Sequence, residues 1–157
     1  MKYLKLAVLL FLGTTTFAQT TIIRQDVDIK NMINEVSAKN VENTVRKLVS
    51  FGTRHTMSDT LSKTTGIGAA RNWIKAEFEK YSAASGGRLK VEFDTFIQPA
   101  DGRRVLKDAT LKNVLAILPG TDPTDNRVFV VSGHYDSRAS NANDATSKAP
   151  GAVDDAS

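Results

Sequence analysis

Val128-Phe129-Val130-Val131-Ser132-Gly133-His134-Tyr135-Asp136-Ser137 is the stretch on which the fold turns. Its first four residues form a short, wholly apolar run rich in β-branched side chains, the pattern of a strand covered on both faces. His134 and Asp136 follow at the carboxyl end of that run, where open α/β sheets place their ligand crevices. Gly133 lets a backbone or ligand come close. The fold class read from this arrangement is α/β, a mixed central β-sheet flanked by helices.

Upstream segments supply the other layers. Ile29, Met32, Ile33 and Val36 recur at the three-and-four spacing of one helical face, and Val41, Val45, Leu48 and Val49 repeat it. Asn40 is the expected N-cap of the second helix and Phe51-Gly52 its stop. Between Gly66 and Tyr81 a longer stripe of Ile67, Ala70, Ile74, Phe78 and Tyr81 predicts the best helix of the chain, with Trp73 assigned to the core beside it. Gly86-Gly87 breaks that pattern. Leu89 to Ile97 then alternates as a half-buried strand, and Asn113 to Leu118 is a second strand ending at Pro119-Gly120.

The chain has 157 residues, 41% of them hydrophobic and 24% charged, ordinary values for one globular domain. Residues 1–18 read as a Sec signal peptide. Lys2 and Lys5 make its basic region, Leu6 to Leu12 its apolar core and Thr16-Phe17-Ala18 its small-residue cleavage site. The expectation is export to the periplasm or the medium, with no membrane attachment after signal removal. Residues 19–157 are expected to form the N-terminal part of a single domain. The absence of cysteine excludes disulfides, thiol nucleophiles and Cys-ligated zinc. The net charge of +4 becomes +2 without Lys2 and Lys5, which is no nucleic-acid footprint.

Two features carry chemistry. His134 can offer one ring nitrogen to a metal while Asp136 accepts the proton on the other, which fixes the tautomer and makes the imidazole a better donor. Taken alone, His-x-Asp also describes a loop histidine beside a solvated aspartate. Asp154 and Asp155 are adjacent carboxylates after Pro150-Gly151, and a cation relieves the repulsion between two such charges. The same doublet also reads as an acidic helix start. Imidazole and carboxylate are the ligand types of a hydrolytic Zn²⁺ site. Gly66-Ile67-Gly68 follows no strand, so helix packing is preferred to a nucleotide loop. His55 is read as a structural or surface loop histidine. Ser132 and Ser137 lack the surroundings of a nucleophile. The polar stretch 141–148 is read as a connector near the site, and Arg138 is given little weight as a contact for a substrate carboxylate.

Gly133-His134-Tyr135-Asp136-Ser137 and Ala149-Pro150-Gly151-Ala152-Val153-Asp154-Asp155-Ala156-Ser157 together resemble the M28 family of zinc-dependent aminopeptidases. Ser50-Phe51-Gly52-Thr53-Arg54-His55-Thr56 and the segment from Gly66 to Ile74 are similar to the helical opening of secreted members, so the resemblance covers residues 28–157. It implies the phosphorylase/hydrolase-like fold of zinc exopeptidases. It also implies that His134 ligates one zinc, that Asp136 stands behind it, that Asp154 bridges two zinc ions, and that Asp155 supports the bridge after a cis peptide.

The remaining family ligands and the general base, a glutamate, find no counterpart in residues 1–157. The fragment is therefore expected to be inactive and to bind zinc weakly. The implied reaction is peptide hydrolysis: the metal pair lowers the pKa of a water, a glutamate takes its proton and the scissile carbonyl is polarised. The implied substrate is a peptide with a free N-terminus. Glutaminyl-peptide cyclase resembles the same fold but has one aspartate where this chain has Asp154-Asp155. A non-catalytic binding module of the same fold is the other alternative.

Overall fold

A computed structural model of the chain describes residues 24–153. The segment 1–18 read as a signal peptide, and Asp154 and Asp155, lie outside the described residues. The chain divides into two units, 1–36 and 37–157. The described part of the first carries helix α1, Val27–Asn34, started by Asp26, whose carboxylate accepts the Asp28 N–H at 2.8 Å and that of Ile29 at 3.3 Å. None of the residues of α1 is buried.

The second unit opens with α2, Ala38–Ser50. Its N-cap is Ser37, not Asn40. Ser37 holds the last extended backbone (φ −103°, ψ 116°), and its Oγ accepts the Asn40 N–H at 3.3 Å. Asn40 is thus three residues inside the cap, and its own amide is the one being capped. The helix stops as predicted at Phe51 and Gly52, where Gly52 takes a left-handed φ of +75° that a side chain would oppose.

Helix α3, Gly66–Ala84, has no side-chain cap. Its first amides are taken up by the preceding loop instead: Gly66 N–H to Phe51 O (3.1 Å), Ile67 N–H to Ser58 Oγ (2.9 Å) and Gly68 N–H to Asp59 O (3.0 Å). These are the donors a helix start otherwise leaves orphaned. The close approach explains both glycines. A Cβ at Gly68 would overlap the Thr60 backbone, and one at Gly66, whose φ is +80°, would overlap the Asp59 carbonyl. Helix packing is therefore their role.

Strands β1, Lys90–Gln98, and β2, Ala109–Ile117, form an antiparallel pair with Phe93 opposite Val114 and Thr95 opposite Lys112. The pair packs on α3, with Lys75 Nζ 5.7 Å and Lys112 Nζ 5.1 Å from the Phe93 ring centre. Leu48 and Phe51 of α2 and its cap, Ala69 and Ala70 of α3, and Ala152 make the core, with Val45, Trp73, Ile74 and Tyr135 packed around it. The Phe51 and Trp73 rings meet tilted by 50° at 6.1 Å. Such a contact adds about 0.5–1.5 kcal/mol to the burial itself.

Three helices and a two-stranded antiparallel sheet make the described residues an α/β fragment. The strand expected at Val128–Val131 is not formed. These four side chains are 81–99% exposed and no ladder includes them. An interior strand is held by neighbours on both edges and cover on both faces. Here β2 pairs only with β1 among the described residues, so the composition of the run is right for a strand while its partners are missing. No helix of the described residues is long and apolar enough to cross a membrane.

Candidate metal centre

From Gly133 to Ser137 the side chains alternate between two sides, as an extended backbone requires. His134 and Asp136 are partly open to solvent, while Tyr135 is half-buried and Ser137 buried. The alternation puts the first two on one side of the chain. His134 Nδ1 lies 3.0 Å from Asp136 Oδ1 and 3.2 Å from the Asp136 carbonyl oxygen. The second carboxylate oxygen, Oδ2, accepts the Thr56 hydroxyl at 3.3 Å. With Nδ1–H donating to Asp136, the lone pair of the neutral ring sits on Nε2.

The inward pair anchors this arrangement. Tyr135 packs its ring against the core and donates its hydroxyl to Lys112 O of β2 at 2.6 Å. Burial pushes its phenol pKa up, Arg71 opposes the shift and the charge of Asp136 adds to it. Ser137 Oγ accepts the Arg54 backbone N–H at 2.9 Å and donates to Ala149 O at 2.5 Å. That hydroxyl is committed to the backbone on the buried side, away from His134, and is no nucleophile.

Arg54 is fully buried. Its Nη1 donates to Leu48 O at 2.7 Å, its Nε to Tyr135 O at 2.8 Å and its Nη2 to Gly151 O. Burial lowers its pKa from the ordinary arginine value, and the charge of Asp136 works the other way. His55 is structural, as expected. Its Nδ1 accepts the Met57 N–H at 3.0 Å and its Nε2 donates to Ala142 O at 2.9 Å, tying the loop after α2 to the 141–148 connector. Asp144 shapes that connector by accepting from the Thr146 and Ser147 amides, each at 2.9 Å.

His134 and Asp136 border a cleft of about 230 Å³ whose walls include Thr56, Arg71, Lys112 and Asn113. Arg71 Nε, buried beside it, has no hydrogen-bond partner among the described residues. Of the four predicted site residues, the structure brings His134 and Asp136 together. Asp154 and Asp155 lie outside the described residues. No group of three His, Cys, Asp or Glu side chains suited to a metal occurs among the described residues. The donor chemistry of His134, an imidazole oriented by a carboxylate through its other nitrogen, fits one position of a zinc site. Thr56, Arg54 and Ser137 were not read from the sequence as site residues. Their partners lie 80 to 83 residues along the chain, and no local pattern encodes such a pairing.

Residues 113–157 match the profile of Peptidase family M28. The chain is 48% identical over 130 residues to a probable zinc metalloprotease of Leptosphaeria maculans, covering 83% of this chain and 30% of that protein. It is 43% identical over 133 residues to one of Pyrenophora tritici-repentis (84% and 30%). A further probable zinc metalloprotease, from Pyricularia oryzae, is 44% identical over 132 residues (84% and 26%). The chain thus spans about 30% of the length of the first curated relatives it matches. No solved structure matches. The His134–Asp136 pair lies inside the matched segment, and the family match and these relatives together support an M28-family zinc metallopeptidase.

Proposed function

We propose that the protein is an exported zinc exopeptidase that removes N-terminal residues from peptides at a two-zinc site. His134 would be a ligand of one ion and Asp154 the carboxylate shared by both, supported by Asp155. The observation that carries this reading is the 3.0 Å contact between His134 Nδ1 and Asp136 Oδ1, with Asp136 itself held by Thr56. A loop histidine beside a solvated aspartate needs no third residue to hold the carboxylate; a ligand whose ring must keep one orientation does. The relatives' description as probable zinc metalloproteases agrees with metal-dependent peptide hydrolysis.

When bound, zinc supplies Lewis acidity toward the scissile carbonyl and toward water. The residues of this chain do the positioning. Asp136 holds the proton on Nδ1 of His134 and so keeps the lone pair on Nε2. Thr56 fixes the carboxylate plane, and Tyr135, anchored on β2, keeps the loop from twisting. The paired acids Asp154-Asp155 favour the peptidase over a cyclase, which has one aspartate there.

The test uses the full protein with His134→Ala and Asp136→Asn. His134→Ala should abolish zinc retention and hydrolysis of aminoacyl anilides. Asp136→Asn should weaken zinc affinity or activity by about 10–100-fold, and N-acetylated substrates should resist cleavage by the unmodified protein. Unchanged zinc content in both variants would refute the assignment.

A further inference from the structure

We propose that Arg54 is a positioning residue of the metal centre, locking the loop that carries His134 and Asp136 to the segment that leads into Asp154. The role rests on the zinc reading above. Three chain segments meet at this one side chain. Its Nε reaches the carbonyl of Tyr135, the residue between His134 and Asp136. Its Nη2 reaches the carbonyl of Gly151, three positions before Asp154. Its Nη1 reaches Leu48 O in the last turn of α2, which ties both loops to the core.

The backbone on either side repeats the connection. Arg54 N–H donates to Ser137 Oγ, Ser137 N–H donates to Arg54 O at 3.3 Å, and Ser137 Oγ donates to Ala149 O. Ala149 N–H in turn donates to Gly52 O at 2.9 Å, within a parallel bridge between Thr53 and Ala149. Segments 52–54, 135–137 and 149–151 are thus stitched side by side, with the guanidinium as the element common to all three.

Stability alone does not account for a cation there. All three of its acceptors are neutral carbonyls, the charge of Asp136 offsets only part of the burial penalty, and an apolar side chain of similar volume would avoid that penalty. What an apolar side chain cannot do is hold three carbonyls at set directions in one plane. The rigid fork of arginine does this, and the point charge of lysine does not. One of those carbonyls lies between His134 and Asp136 and another lies three positions before Asp154, so the guanidinium fixes the spacing of the backbone next to the proposed ligands.

The experiment compares the full protein with Arg54→Lys and Ser137→Ala, each stripped of metal and titrated with zinc against a chromophoric chelator. The visible spectrum of the cobalt-loaded forms and the thermal unfolding of the metal-free forms are read in parallel. Arg54→Lys should bind zinc about 10–100-fold more weakly, as partners behind a ligand typically do, with an altered cobalt spectrum at temperatures where it is fully folded. Ser137→Ala should show a smaller loss of the same kind, and the double variant should lose less than the product of the two, because both act on one linkage. If Arg54→Lys does not fold, Ser137→Ala carries the test. A folded variant with lowered melting temperature but unchanged zinc affinity and cobalt spectrum overturns the role, leaving Arg54 as a structural pin. Unmodified protein that binds no zinc overturns the metal reading itself, and this role with it.

Discussion

Residues 128–131 and 134–137 are neighbours in sequence and opposites in the structure. The first run is apolar throughout and stands in solvent, while the second is mostly polar and is partly drawn inside. Hydrophobicity therefore does not decide which is held. The 134–137 segment has partners within the described residues: the α2 core for the Tyr135 ring, Lys112 O for its hydroxyl, and Arg54 and Ala149 for Ser137. Among the described residues the 128–131 run has no ladder partner, and its side chains stay exposed. A buried polar group held by several hydrogen bonds can be placed more firmly than an apolar one with nothing to pack against.

Removing the shared support should break this contrast most severely. Phe51→Ala empties the core beneath Tyr135 and is expected to destabilise the chain by about 3–5 kcal/mol, measured by urea unfolding. A loss below about 1 kcal/mol would mean that the 134–137 segment does not depend on that core.

Acid should act more locally. The hydrogen bonds from Ser147 and Thr146 hold the Asp144 carboxylate far below the usual range. A depressed folded pKa gives stability that is present above the unfolded value near 3.8 and is lost as pH falls through the folded one. The Thr146 and Ser147 amides should accordingly stay protected from exchange down to that pH and lose protection only in stronger acid. Asp144→Ala, which removes the acceptor, should expose them at neutral pH. Amide exchange followed by NMR decides the point, and protection in the variant equal to the parent would discard it.

The smallest effect is expected on the exposed run. Val130→Thr should change the stability of the 157-residue chain by no more than about 0.5 kcal/mol. A loss of several times that amount would show that residues 128–131 are covered after all and would erase the contrast.

Legibility followed the range of the interaction. The helical stripes of α2 and α3 could be read because their spacing repeats every few residues, as could the alternation of β1 through Phe93; Tyr81 at the end of the α3 stripe and Ile97 near the end of β1 are exposed instead. The pairing of His134 with Asp136 was legible for the same reason, since two residues apart on an extended chain face the same way. The cap of α2 was misplaced by three residues because Ser37 and Asn40 are both good caps, and only the backbone conformation at Ser37 distinguishes them. Val128–Val131 has a strand's composition without a strand's structure because composition reports a preference for burial and is silent on whether a partner is present. The role of Arg54 has no local signature because its acceptors at Tyr135 and Gly151 lie 81 and 97 residues away.

The order of amino acids was sufficient for the helices, for β1, for β2 from Asn113 onward though not for its first residues from Ala109, and for the histidine with its carboxylate, because each depends on residues within a few positions of one another. The packed chain was needed to show which arginine binds the site loops together and which apolar run stays uncovered. Buried hydrogen bonds and sheet pairing are set by neighbours in space, and distance along the chain does not encode them.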